Sequence, residues 1–296
     1  MRQASSNDGY VTLAVLLTAA LLAAIVSSLV AVSRPALGLA RIGADEVAAA
    51  GLLEGGIQTA AFLLFESQQK ANVVNGFLLR RGTGVVRINV ADESGRIDLN
   101  AARPELLEGL YAAVGGTSMS AKAFASRVAD WRDQDFDVGE QGAETFEYES
   151  EGLPYRPANR PFHSVEELRY LLGLSSADFG RLESFVTVYA RQSGVDPMTA
   201  SETVLRAVPG IGRAAVQLIL QARQQGLDRE RIVNLVQPGS LFLSTTESSV
   251  YRVGVQVQLA DGFADAVEAV IVAALETDSG YRVAAWSRVA AAKARR

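Results

Sequence analysis

YVTLAVLLTAALLAAIVSSLVAV, residues 10–32, is the one long apolar run in the chain, and its reading decides how everything after it must fold. Roughly 20 apolar residues at a rise of about 1.5 Å each span the ~30 Å of bilayer hydrocarbon. The run carries no charge. Its only polar side chains are Thr12, Thr18, Ser27 and Ser28, whose hydroxyls can bond back to the helix's own carbonyls. A cleavable secretory signal would have a shorter apolar core and a small-x-small cut site after it, whereas the first breaker here is Pro35 and the following AVSRPALGLA makes a poor site. The run is therefore expected to stay as a membrane helix over residues 10–33. Ahead of it stands a short polar leader, MRQASSNDG, ending at Gly9.

The 296 residues hold 28 Lys+Arg against 33 Asp+Glu, a net charge of -5, which argues against nucleic acid or anionic lipid as the main partner. There is no cysteine, so disulfides, thiol catalysis and thiolate metal sites are excluded together. Flanking charge leaves the orientation of the helix open, because Arg2 and Asp8 lie on one side and Arg34 and Arg41 on the other.

Helical periodicity continues beyond Pro35, which should kink the rod. Leu39, Ile42, Val47, Leu53, Ile57, Ala61 and Leu64 recur at helical spacing and predict a face packed on another element. Gly51, Gly55 and Gly56 weaken this helix unless close approach to a sheet requires them. Val86, Ile88 and Val90 then alternate with polar residues, Asp92 to Gly95 supplies turn chemistry, and Arg96 to Leu99 resumes extended structure, a pattern that predicts a hairpin. Three further strands, Val250 to Ala260, Ala266 to Leu275 and Tyr281 to Val289, are separated by turn residues and suit an antiparallel meander.

Between these β segments, residues 100–243 read as a helical insertion with three similar helix starts, LNAARPELLEGLYAAVG, FHSVEELRYLLGL and MTASETVLRAVPGIG. The third continues through Pro209-Gly210-Ile211-Gly212 into RAAVQLILQAR, a helix-hairpin-helix pattern. Such a hairpin can point its amides at a DNA phosphate, with Arg206, Arg213 and Arg223 as helpers, or serve only as a compact joint. Glu183, Glu202, Asp228 and Glu230 offset the arginines and favour the joint.

The densest chemistry is DWRDQDFDVGEQGAETFEYESEG, where Asp130, Asp133, Asp135, Asp137, Glu140 and Glu144 crowd together between glycines. Like charges this close repel, and a hard divalent cation held by oxygen ligands would remove the repulsion; the other reading is a solvated acidic loop. The lone histidine, His163, sits at a helix flank, and no nucleophile-elbow, phosphate-loop or metalloprotease motif is present, so no enzyme is expected.

Several stretches together resemble one family. The leader ending at Gly9 before the apolar run resembles the class III signal of type IV pilins and pseudopilins. Ala14 stands at the fifth position after that Gly, where most of that family has Glu, and its absence is a feature of the K-type. The W-x-D-x-D segment from Trp131, Gly142-Ala143-Glu144, PYRPANRPF, SVEELRYLLG and DESGRIDLNAA look like the signature of the K-type minor pseudopilins of the type II secretion system. The resemblance implies an α+β, type IV pilin-like fold, a long N-terminal membrane helix plus an antiparallel sheet, with a large inserted α-domain. Its expected parts are a leader at 1–9, a transmembrane part at 10–33, a first pilin-like part at 34–99, the insertion at 100–243 and C-terminal strands at 244–296. It further implies cleavage by a prepilin peptidase between Gly9 and Tyr10. The chain would cross the bacterial inner membrane once, N-terminus in the cytoplasm and globular part in the periplasm. Its place would be the tip of the pseudopilus with the I-type and J-type minor pseudopilins. Bound calcium is implied too, with Asp133, Asp135 and Glu144 as the best ligand candidates and Asp130, Asp137 and Glu140 behind them. The alternative of another class is a membrane-anchored helix-hairpin-helix protein that binds DNA.

Overall fold

Asn7–Ala61 form a single helix of 55 residues, α1. The computed structural model describes residues 7–82, 84–236, 239–274 and 280–290; of the side chains at 7–9 and 29–41 nothing is described. The leader residues 1–6, the side chains of Pro35 and Leu39 and the end of the strand expected to reach Leu275 lie outside that description; where a kink was expected at Pro35, the helix runs on. Tyr10–Ser28 is long and apolar enough to span a membrane, and none of it is buried against the other described residues. Thr18 Oγ1 donates back to the carbonyls of Ala14 and Val15, both at 2.9 Å, as an apolar surrounding requires. Ile42–Glu66 passes the same test of composition, but 39% of it is buried against a sheet, which accounts for its apolar face.

That face differs in part from the expected one. Leu53, Ile57, Ala61 and Leu64 are buried, whereas Ile42 and Val47 are exposed, because burial against the sheet begins only at Ala49. Of the three glycines, Gly51 and Gly55 face open space. Only Gly56 is required by close approach: a Cβ there would stand 2.6 Å from a Val255 methyl.

The sheet has the order β1-β2-β5-β6-β7, all antiparallel: β1 Phe77–Arg81, β2 Gly84–Asp92, β5 Val250–Leu259, β6 Ala264–Ala273 and β7 Tyr281–Val289. Val86, Ile88 and Val90 pair in register with Val257, Val255 and Val253, so one face of alternating β-branched residues lies under α1. The hairpin partner expected at Arg96 to Leu99 is not there. Residues Ile97–Asp98 (β3) instead pair in parallel with Val186–Thr187 (β4) in a separate two-stranded sheet, and β2 takes the preceding strand β1 as its hairpin partner. The cause is local. Asp92 Oδ1 accepts from Ser94 N at 2.9 Å and starts a 3-10 turn at Glu93–Gly95, which carries the chain out of the sheet.

Residues between β3 and β5 build a second core around Leu106, Leu110, Phe124, Leu168, Leu205 and Ile219. The first of the three helix starts becomes α3 (Pro104–Ala113), which relies on Pro104 in its first turn without a side-chain cap. The second becomes a 3-10 segment, Val165–Tyr170, and the third becomes α7 (Glu202–Ala207), capped by Ser201. The hairpin to α8 (Arg213–Gln224) turns at Gly210 with φ +80°. This helical unit joins the sheet at Asp92 and Val250. There Phe65, just beyond α1, packs its ring 5.7 Å from that of Tyr251, so the unit is attached near the end of α1 opposite Tyr10.

Candidate metal centre

The acidic loop is held by what precedes and follows it. The helix α4 (Ala121–Arg132) starts at Ser120, whose Oγ accepts from Ala123 N at 3.0 Å. Near its end Trp131 is buried and stacks on Phe162, with centroids 5.9 Å apart, and packs at an angle on Tyr148. Arg132 donates to the carbonyls of Leu99 and Ala102, the latter at 2.9 Å, which ties this helix end to the corner after β3. Asp133 is therefore delivered at a fixed C-cap.

Asp130 shapes the loop that follows. It is buried, and its Oδ2 accepts from Gly139 N at 3.2 Å and Ala143 N at 2.8 Å. A Cβ on Gly142 would sit 1.9 Å from that oxygen, so the wrap closes only with glycine there. The loop ends where Glu144 N donates to Glu147 Oε2 at 2.9 Å, opening the short helix α5 (Thr145–Ser150). From the PYRPANRPF segment, Asn159 Nδ2 donates to the Asp135 carbonyl at 2.9 Å. Asn100 grips that segment further on, accepting from Phe162 N at 2.7 Å and donating to Phe162 O at 2.9 Å.

The result is a convergence of oxygens. Asp133, Asp135 and Glu144 each offer one carboxylate oxygen, all within 4.8 Å of one another, and among the described residues this is the one group of acidic or histidine side chains so placed. Asp135 is exposed, Asp133 half-buried and Glu144 buried. Both oxygens of Glu144 and one of Asp133 are buried without a hydrogen-bond partner. Such groups are costly unless something positive meets them. Burial pushes the Glu144 carboxyl up to about 7, helped by the charges of Asp130, Asp133 and Asp135. Burial, then Asp135 and Asp130, raises Asp133 as well. Two oxygens bound to one calcium at about 2.4 Å lie at most ~4.8 Å apart, so this all-oxygen set is close enough together for one calcium-sized ion to be shared among them. The lower-ranked candidates are engaged otherwise: Asp130 with loop amides, Glu140 in a 2.6 Å ion pair with Lys122, while Asp137 is exposed. His163 takes no part; it is exposed, and its main-chain N–H donates to Glu167.

The helix-hairpin-helix offers little to a phosphate. Arg223 spends its guanidinium on the carbonyls of Pro197 and Ala200, and Arg206 and Arg213 line a crevice shared with Glu105 and Glu108.

Residues 86–191 match the family model for the type II secretion system (T2SS), protein K. This stretch, about a third of the chain, is similar to protein K. It holds β2, the whole acidic loop and the segment bearing Asn159. Over 198 residues the chain is 35% identical to the type II secretion system protein K of Pseudomonas aeruginosa strain PAO1, a match that covers 64% of this chain and 59% of that relative's length. The fold is also that of a solved structure. A chain of the crystal structure of the GspK-GspI-GspJ complex from the enterotoxigenic Escherichia coli type 2 secretion system superposes with a TM-score of 0.63 at 16% identity, over 85% of this chain and 100% of that one. The fold is thus the α+β, pilin-like one that the resemblance implied, and the DNA-binding alternative is not favoured.

The Glu144 shift has a consequence for stability without metal. Its carboxyl is raised in the folded chain, so folding keeps a proton that the unfolded chain releases above about pH 4.5. The favourable contribution is complete below that pH and is lost as pH rises through about 7, a change of roughly 2–3 kcal/mol. In chelator, the full chain in detergent is expected to melt roughly 4–10 °C lower at pH 8 than at pH 5. Thermal melts across that range, with Glu144→Gln removing most of the slope, check it.

Proposed function

We propose that this chain is a minor pseudopilin of the type II secretion system that acts structurally, capping the periplasmic pseudopilus together with I-type and J-type minor pseudopilins. It stands in the inner membrane on α1, with the folded part in the periplasm. What carries the reading is one arrangement: a stretch similar to protein K whose helical part is mounted on a pilin-like sheet, at the end opposite the apolar span. A subunit added above would meet the bulky helical unit and not another α1. Ala14 fits the same place, because a terminal subunit has no amino terminus above it to neutralise. Prepilin peptidase would cut between Gly9 and Tyr10, leaving α1 whole.

The centre at Asp133, Asp135 and Glu144 would hold calcium, whose charge offsets the carboxylates and lets the loop close on Asp130. An ion at about 100 times its dissociation constant adds roughly 2.7 kcal/mol to the folded state. Millimolar calcium should therefore raise the melting temperature at pH 8, and Asp133→Ala should abolish that rise. An unchanged melt would return the loop to a merely solvated state.

Native mass spectrometry of the full chain in detergent, mixed with I-type and J-type minor pseudopilins, tests the assembly. A complex with one copy of this chain is expected, and tagged protein repeated along isolated pseudopili would count against a place at the tip. The same spectra report the processed amino terminus, which Gly9→Val should leave uncut.

A further inference from the structure

We propose that Asn159 is a fourth oxygen ligand of the Asp133, Asp135 and Glu144 centre, and its uncharged one; the assignment rests on the calcium reading above. The backbone of Asn159 is left-handed, φ +45°, a conformation that asparagine tolerates better than most residues. The segment is pinned there by the two Asn100 bonds to Phe162. Its side chain bridges two loops. Nδ2 donates to the Asp135 carbonyl at 2.9 Å, and the amide also lies close enough to Glu144 to hold that carboxyl's rise in check.

The other end of the amide is idle. Asn159 Oδ1 is buried and accepts no hydrogen bond, as is true of both Glu144 oxygens and one Asp133 oxygen. Four idle buried oxygens, from three residues brought to the same loop, are better met by one shared positive partner than by separate donors. A neutral ligand suits the charge count. Three carboxylates already exceed the charge of a divalent ion, and a fourth would add repulsion, whereas an amide adds an oxygen and no charge.

Terbium(III) in place of calcium tests this on the full chain in detergent. Trp131 and Tyr148, packed beside the loop, sensitise its luminescence, and lifetimes in H2O and D2O count the waters on the ion. Asn159→Gly removes the side chain but accepts φ +45° without strain. It is expected to add one water to the bound ion and to weaken calcium binding about tenfold. Asn159→Asp restores an oxygen and should restore the original water count. The assignment is overturned if Asn159→Gly matches the unaltered chain in both water count and affinity, or if Asn159→Asp keeps the extra water. An unaltered chain that takes up neither ion would instead remove the centre itself, an outcome plainly different from a variant that behaves like its parent.

Discussion

Arg252→Ala is expected to destabilise the folded chain by about 3 kcal/mol, toward the lower end of the ~3–5 kcal/mol found when one partner of a buried ion pair is removed. Glu93 is fully buried at the point where the chain leaves the sheet. Its Oε1 accepts from Arg252 Nε at 2.6 Å and its other oxygen accepts from Thr187 of β4, while Arg252 reaches Glu268 of β6 at 2.5 Å. Burial alone would pull the guanidinium down, but the bonds and charge of Glu93 and Glu268 reverse this and hold it above its ordinary range. Without Arg252 the Glu93 carboxylate keeps, among the described residues, only Arg96 at 3.8 Å as a cationic neighbour. The bridge also joins the two cores, so its loss should open residues 92–96 and 244–249 to protease. Denaturant midpoints and limited proteolysis measure both effects. Glu93→Gln combined with Arg252→Met should recover more than half of the loss, because no fully buried charge is left unpaired; Glu268 and Arg96, which lose their partners, both reach solvent. A single-variant loss below about 1 kcal/mol would show that the pair does not bind the units together.

Gly109→Ala should cost about 3 kcal/mol, although alanine is the better helix former by about 1 kcal/mol. Gly109 lies inside α3, where a Cβ would stand 1.9 Å from the Ala207 carbonyl oxygen and 2.9 Å from its carbon. Those are backbone atoms of α7, so no rotamer change relieves the clash. The two helices must part, and Leu106, Leu110 and Leu205 lose contact with them. Gly180 makes the opposite case. It lies inside α6 (Ser176–Leu182) with nothing within 4 Å of a built Cβ, and Gly180→Ala should stabilise by up to about 1 kcal/mol. Urea midpoints of the two variants should move in opposite directions; a rise in both would mean that helix propensity, and not the α3–α7 approach, governs this core.

In composition the two glycines are alike, and the same contrast runs through the whole chain. Properties set by a residue and its near neighbours were legible in the sequence: the apolar span at Tyr10–Ser28, the alternation of β5, the Ser201 cap, and a run of carboxylates too dense to be left alone. The acidic run was legible because like charges packed into a short loop announce their own repulsion, while the choice of Asp133, Asp135 and Glu144 within it came from the family resemblance. Asn159 was not legible, since an amide leaves no mark in a charge pattern and its φ of +45° has no local signature. Phe77–Arg81 was missed because FLLRR does not alternate, being an exposed edge strand that relies on β2. Ile97–Asp98 read as a return strand, but its partner lies at Val186–Thr187, across the entire acidic loop. Local chemistry, carried by bonds a few residues long, the sequence determined alone. The strand partners, the glycines that permit close approach and the oxygens that share one point were decided by the tertiary structure, because each depends on atoms far apart along the chain that only packing brings together.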